Sequence, residues 1–210
     1  MAARRVARGR LIAVDGSRGP DVAAAARSLG RALRSRKADG GGGVSLWDSS
    51  GIFTDLDAAE VDIPGPSART LTLLYAADLA FRLRWQIGPA IEAGHSVVAA
   101  PYVESAKALG IAAGLPRRWL DELFRFAPKP DLSYHVNTRG GRVSSRQTGG
   151  YVECFSNALV ANGLVVDPHA LRKQSVDYLI SLEGRRRSSR LTIDVVASLG
   201  RSERRRTRLA

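Results

Sequence analysis

The stretch LIAVDGSRGPDVA, residues 11–23, decides the expected fold. Its first four residues are apolar and lead into Asp15-Gly16, which is typical of a buried strand that ends in a turn. From Val22 to Arg36, apolar residues recur at helical spacing along one face, and arginines occupy the opposite face. The sequence therefore predicts a strand, a turn over residues 15–21 and a helix.

The same alternation of strand and helix patterns continues along the chain. Further apolar runs predict strands at residues 44–47, 96–100, 131–136 and 164–166, and helical patterns occur at 68–93, 103–113, 116–126 and 168–183. Strands separated by helices of this length are joined by crossovers, which make the strands parallel. We therefore predict a three-layer α/β fold, a five-stranded parallel sheet with helices on both faces.

The composition favours one domain with basic ends. A chain of 210 residues, 44% of them hydrophobic, can bury a sizeable core. The domain is expected over residues 11–183, between a basic extension at 1–10 and an arginine-rich extension at 184–210. No signal peptide or membrane span is expected. The single cysteine, Cys154, argues against disulfides, so the expected location is the cytoplasm.

The net charge of +12 lies almost wholly in the two extensions. Such clusters of arginine bind nucleic acid by neutralising phosphates, so a nucleic-acid-associated protein is one alternative. The arginines of the C-terminal extension have no interleaved aromatic residues on which bases would stack. Arginine also exceeds lysine by 28 to 4 over the whole chain, which indicates a general bias toward arginine. Nucleic-acid binding is therefore only weakly supported.

The turn after the first strand has the frame of a phosphate-binding loop, GxxxxGK[ST]. Later segments resemble motifs of the thymidylate (dTMP) kinase family, both in their residues and in their order along the chain. They are LLYAAD at 73–78, IGPAIEAGHSVV at 87–98, YVES at 102–105, RFAPKPDL at 125–132 and VVD at 165–167. The resemblance implies the three-layer P-loop fold of nucleoside-monophosphate kinases. It also implies ATP and Mg²⁺ as ligands and a dimer formed by the helices after strands two and three.

The phosphate loop departs from the family's pattern where the chemistry is done. Gly16 and Gly19 stay in register, but Asp21 stands where the second glycine belongs. Val22 replaces the lysine that neutralises the phosphates, and Ala23 replaces the hydroxyl that ligates magnesium. A carboxylate beside the phosphates and a missing cation both oppose ATP binding. The degenerate loop consists of Gly16, Ser17, Arg18, Gly19, Asp21 and Val22.

Other functional positions implied by the resemblance are also replaced. The catalytic Asp-Arg pair is Ala100-Pro101, the arginine for the monophosphate is Trp47, and the base-contacting arginine is Leu79. What remains of the monophosphate and base pocket is Asp48, Tyr75, Asp78, Tyr102 and Ser105. Tyr75 is read either as a packed core aromatic or as a retained platform for a base. The lid, residues 138–163, is shorter than in the family and carries Arg139, Arg142 and Arg146.

These residues lead to a first hypothesis and two alternatives. We expect a thymidylate-kinase-like protein that is catalytically inactive, binds no cofactor and acts as a binding or regulatory module, either as a homodimer or with a related kinase subunit. The first alternative is an active or weak dTMP kinase, in which Arg18 and the lid arginines replace the lysine and ATP and Mg²⁺ are bound. The second is the nucleic-acid-associated protein. No metal site is expected, because His95, His135 and His169 lack metal-ligand spacing.

Overall fold

A computed structural model describes residues 9–16, 19–35, 42–53 and 66–136. The described elements are β1 (Leu11–Gly16), α1 (Gly19–Ser35), β2 (Gly42–Leu46), α2 (Ala68–Arg82), a π-helical turn called here the π-segment (Leu83–Ile87), α3 (Gly88–Glu92), β3 (Ser96–Ala100), α4 (Val103–Ala112), α5 (Arg117–Leu123) and β4 (Leu132–Val136). The four strands form one parallel sheet in the order β2-β3-β1-β4.

The core lies on both faces of this sheet. Every residue of β1 and β3 is buried, which explains why these strands are continuous apolar runs without alternation. One cluster of buried residues packs under α2, α3, α4 and α5, and a second packs under α1. The prediction of an α/β fold with a parallel sheet and helices on both faces is confirmed for the described residues, which contain four of the five predicted strands.

Parallel pairing brings the carboxyl ends of the strands to one edge of the sheet. Asp15-Gly16 at the end of β1, Trp47-Asp48 after β2 and Pro101-Tyr102 after β3 therefore lie along the same edge, called here the carboxyl edge. Helices α1 and α4 begin there. In α/β sheets of this kind, ligands bind outside the carboxyl ends of the strands.

Helix α1 begins at Gly19, three residues before the predicted start at Val22. Proline in a first helical turn loses no hydrogen bond, and a carboxylate there is favoured by the helix dipole, so Pro20 and Asp21 suit these positions. The predicted turn over 15–21 is correspondingly shorter. The predicted helix over 68–93 is also corrected, because the π-segment interrupts it.

Several predictions concern parts of the chain outside the described residues. These are the basic extension up to residue 8, Ser17 and Arg18, the lid with Arg139, Arg142 and Arg146, Cys154, the strand at 164–166, the helix at 168–183 with His169, and the extension at 184–210. Among the described residues, no helix combines the length and the apolar composition needed to cross a bilayer.

Candidate functional site

The side chain of Val22 points into the core instead of toward the carboxyl edge. It is 1% exposed and belongs to the cluster under α1. A Cβ atom placed on Gly16 would come within 2.8 Å of a methyl group of Val22, so the valine packs directly against the backbone at the end of β1. The position at which the resemblance expects a phosphate-binding lysine is therefore a packing position.

Asp15 is buried at the end of β1 and caps the helix that follows β3. One oxygen, Oδ1, accepts hydrogen bonds from the backbone N–H of Tyr102, at 2.8 Å, and of Ser105, at 3.0 Å. These N–H groups belong to the first turn of α4, which has no partners for them within the helix. A carboxylate is the favoured acceptor there because of the helix dipole. Asp15 therefore fastens α4 to the central strand.

Ser105 makes a second connection between the same two elements. Its hydroxyl accepts a hydrogen bond from the backbone N–H of Gly16, at 3.0 Å, and lies 3.2 Å from the carbonyl oxygen of Gly16, to which it donates. The N–H of Gly16 is thereby used by the protein itself. In a phosphate-binding loop, backbone N–H groups of this region face the phosphates.

Asp78 organises the turn after β2. Its carboxylate is buried and accepts from the backbone N–H of Asp48 at 3.1 Å, from that of Ser50 at 3.0 Å, and from the Ser50 hydroxyl at 2.9 Å. Asp48 has a positive φ of 55° and accepts the backbone N–H of Phe53 through its own carboxylate, at 2.8 Å. Both acids that the sequence singled out therefore hold backbone groups of this chain.

Arg82 is a central residue of the site that the sequence reasoning missed. It is fully buried, and its Nε lies 2.9 Å from Oδ2 of Asp78, an ion pair whose alignment falls short of a good hydrogen bond. Its two terminal nitrogens lie 3.3 and 3.2 Å from the carbonyl oxygen of Pro101. The guanidinium is also 5.9 Å from the centre of the Tyr75 ring. The i, i+4 spacing from Asp78 was the available signal.

Tyr75 is packed inside the protein. It is fully buried, and its hydroxyl lies within hydrogen-bond distance of the carbonyl oxygens of Pro101 and Tyr102. Because a phenol has one proton, it donates to one of them at a time. Phe124 meets the ring edge to face, with the centroids 6.1 Å apart. The geometry matches the reading as a core aromatic and leaves no ring face exposed for a base.

Tyr102 is buried like Tyr75, and the pKa of its phenol is raised. Burial, and after it the carboxylate of Asp15, raises the pKa of the Tyr102 phenol far above its usual range, against a smaller opposite effect of Arg82. The phenol donates to the carbonyl oxygen of Pro128 at 2.7 Å. It therefore acts as a neutral donor between the start of α4 and the segment that leads to β4.

We predict that this phenol makes the fold sensitive to alkaline pH. The folded state keeps the Tyr102 proton at a pH where the unfolded chain has lost it, so stability falls as the pH rises above about 10, by up to about 1.4 kcal/mol per pH unit. Urea unfolding of the wild type and of Tyr102→Phe between pH 9 and 11 measures the difference. The variant should lose stability less steeply with pH. Parallel curves would contradict the prediction.

Comparison with known proteins shows which fold this chain has. No family model matches the chain. A thymidylate kinase from Ehrlichia chaffeensis, known from a crystal structure, superposes with a TM-score of 0.65 over 89% of this chain and 87% of that chain, at 13% sequence identity. This chain has the thymidylate kinase fold. The candidate site lies at the carboxyl ends of strands β1, β2 and β3 of this fold.

Sequence comparison supports the same likeness over part of the chain. A probable thymidylate kinase from Thermococcus kodakarensis is 44% identical over 79 residues, which are 36% of this chain and 38% of that protein. A probable thymidylate kinase from Pyrobaculum aerophilum is 34% identical over 80 residues, which are 37% of this chain and 42% of that protein. The matched stretches thus span less than half the length of these relatives.

The residues described at the carboxyl edge differ in their side chains from the phosphate loop that the resemblance implies. The side chain of Ala23 has no oxygen, the side chain of Val22 has no charge, and the N–H of Gly16 is taken by Ser105. Among residues 9–16, 19–35, 42–53 and 66–136, no three His, Cys, Asp or Glu side chains are grouped as metal ligands.

The structure brings together most of the sequence-predicted site residues that it describes. Gly16, Ser105 and Tyr102 meet around Asp15, while Asp48 and Asp78 meet beside β2. Gly19 and Asp21 lie in the first turn of α1. Helix α1 therefore occupies part of the stretch that the sequence had assigned to the loop.

Proposed function

We propose that this protein has the thymidylate kinase fold, does not transfer phosphate to dTMP, and acts as a binding or regulatory module. The observation that carries the proposal is the burial of Val22 against Gly16. Phosphoryl transfer depends on positioning the phosphates and neutralising their charge. A buried valine at this position does neither, and it is part of the core.

The polar residues of the carboxyl edge support the same proposal. Asp15 holds the start of α4, Asp78 holds the turn after β2, and Arg82 binds the carbonyl oxygen of Pro101. A group that binds substrate needs hydrogen-bonding capacity that is not already used within the protein. Replacement of the functional residues, with the strands and helix faces intact, favours a fold retained for binding.

A coupled assay of ADP release tests the proposal directly. The full chain is incubated at high concentration with ATP, Mg²⁺ and dTMP, and we expect the rate to equal that of buffer. Thermal unfolding with ATP·Mg²⁺ and with dTMP, each alone, reports whether either ligand binds, since a ligand that binds the folded state raises its stability. Turnover of dTMP above the buffer rate would overturn the proposal.

The Val22→Lys variant is expected to remain inactive. The catalytic Asp-Arg pair and the monophosphate arginine would still be replaced by Ala100-Pro101 and Trp47. A lysine at a position that is 1% exposed also has to bury or expel its ammonium, which we expect to cost several kcal/mol, on the order of 2 to 4. Urea unfolding therefore accompanies the ADP assay and shows whether the variant folds. Ala23→Lys is the matched control, since it places a lysine at the neighbouring, less buried position. Substantial activity of folded Val22→Lys would contradict the prediction.

Helix α2 and the π-segment offer a binding surface for the module. Leu73, Ala77, Phe81 and Trp85 follow one another at intervals of four residues and are all exposed, Trp85 to 67%. Residues at this spacing share one helix face. We call this face the apolar stripe. Contiguous exposed apolar surface usually marks a protein interface, and we propose that the apolar stripe binds a second copy of this chain.

We expect the protein to form a dimer through the apolar stripe. Replacing Leu73 and Phe81 together by glutamate places charges in the contact and should weaken association by about 100-fold or more. Light scattering behind size exclusion, at several protein concentrations, measures the mass. Ala32→Glu, an exposed position on α1, serves as the control and should keep the wild-type mass. A wild type that is monomeric at the highest concentration would contradict the prediction.

A further inference from the structure

A second cavity lies at the opposite edge of the sheet from the candidate site. Its volume is about 780 Å³, within the range of small-molecule sites. It is lined by Leu11 at the start of β1 and by Asp131 just before β4, so it faces the amino ends of these strands. Since β1 runs from residue 11 to 16, about 16 Å of strand separates the two edges. Pro128 and Lys129 line both this cavity and the smaller one beside Asp15, so the two are neighbours, but Asp15, Asp48 and Asp78 do not line the larger one.

The π-segment forms one wall of this cavity. Three of its five residues, Leu83, Arg84 and Ile87, line the space, and so does Phe126, which is 46% exposed. A π-helical turn is rare and frequently occurs at functional sites. The apolar walls fit the hydrophobic body of a ligand. Such a ligand would cover the exposed ring of Phe126.

Among the described residues that line the cavity, more side chains are positively charged than negatively charged. Arg10, Arg84 and Lys129 supply three cations, whereas Glu92 and Asp131 supply two carboxylates. Asp131 is engaged by the protein, because its Oδ2 accepts the backbone N–H of Leu11 at 2.8 Å. Glu92 is exposed at the end of α3. The rim therefore favours a ligand with one negative group.

We propose that this cavity binds a small amphipathic anion, an apolar body that carries one carboxylate. The body would lie between the π-segment and Phe126, and the carboxylate would face Arg84 and the neighbouring cations. Aromatic and aliphatic acids share this chemistry. The site is independent of whether the protein transfers phosphate, since it uses none of the residues of the carboxyl edge.

Calorimetric titration with three probes tests the proposal. The probes are 2-naphthoate, decanoate and the neutral 2-naphthylmethanol. At least one of the two acids should bind at one site per chain, and the one that binds more tightly identifies the body as aromatic or aliphatic. The alcohol should bind more weakly than 2-naphthoate by about five-fold, the size of a partly exposed charge interaction. Failure of both acids to bind would overturn the proposal.

Two variants locate the binding in the cavity. Ala80→Phe adds an aromatic ring at an exposed position that lines the space and should weaken binding by at least about ten-fold, whereas Ala32→Phe on α1 should not change it. Arg84→Gln should weaken the acids by about five-fold and leave the alcohol unchanged. Its control is Arg69→Gln, because Arg69 is an exposed arginine of α2 that lies over Trp119 as Arg84 lies over Trp85.

Each result of these variants decides the proposal. Sedimentation of all samples establishes that the variants keep the wild-type mass, so that a change in binding is not a change in association. Equal binding by Ala80→Phe and the wild type would place the ligand elsewhere and overturn the proposal. If Arg84→Gln changed the affinities for the acids and for the alcohol equally, the proposal would also be overturned, because the rim would then not recognise the negative charge.

Discussion

Replacing Arg82 by methionine is expected to destabilise the fold by about 3 to 5 kcal/mol, the cost of breaking a buried ion pair from one side. The variant leaves the carboxylate of Asp78 buried without its cation and the carbonyl oxygen of Pro101 without two of its donors. Asp78 in turn positions the backbone of Asp48 and Ser50 after β2. Urea unfolding followed by circular dichroism measures the loss.

A matched control separates burial from charge. Arg125 forms an ion pair with Glu122 at 2.9 Å on the surface, where Arg125→Met should cost less than about 0.5 kcal/mol. A double-mutant cycle with Asp78→Asn then measures the coupling of Arg82 to Asp78, which we expect to be about 1 to 3 kcal/mol. If Arg82→Met costs no more than Arg125→Met, the buried pair does not stabilise this edge of the sheet.

The sequence predicted the elements around Arg82 but not its burial. An acid and an arginine four residues apart on a helix usually form an exposed pair, and nothing local distinguishes Asp78 and Arg82 from such a pair. Their burial depends on the turn after β3, because Arg82 contacts the carbonyl oxygen of Pro101, which is 19 residues away in the chain. The sequence therefore shows the i, i+4 spacing of Asp78 and Arg82, whereas the burial of the pair depends on tertiary packing.

Strands with both faces buried were the easiest elements to predict. In β1 and β3 every residue is buried, so the apolar run coincides with the element. The start of α1 was predicted at Val22 because apolar periodicity begins there, although Pro20 and Asp21 carry the signals of a first helical turn. The π-segment has no comparable signature, because one extra residue in a helical turn leaves the apolar pattern almost unchanged.

The sequence analysis placed the candidate residues at the ends of strands, and it did not foresee their contacts. A parallel sheet brings the carboxyl ends of its strands to one edge, and the structure places residues 15–16, 48 and 102–105 along that edge. The role of Asp15 was not foreseen. Its two hydrogen-bond donors are 87 and 90 residues away in the chain, and such contacts cannot be inferred from spacing.

The second large effect is expected from Asp15→Ala, which should cost about 2 to 4 kcal/mol. It leaves the backbone N–H groups of Tyr102 and Ser105 without their acceptor in a buried region, and each such loss costs about 1 to 3 kcal/mol. The exchange of these two amide protons with solvent should become faster in the variant, which nuclear magnetic resonance measures residue by residue. Urea unfolding gives the total loss.

Two further variants separate the cap from the charge of Asp15. Asp15→Asn keeps an oxygen that accepts from both N–H groups and should cost about 1 kcal/mol less than Asp15→Ala. Asp121→Ala breaks an exposed ion pair with Lys107 and should have little effect. If Asp15→Ala leaves both stability and amide exchange unchanged, the carboxylate is not needed to hold α4. An acid at the end of β1 would then be available for a ligand, contrary to the role in holding α4 that we assign to Asp15.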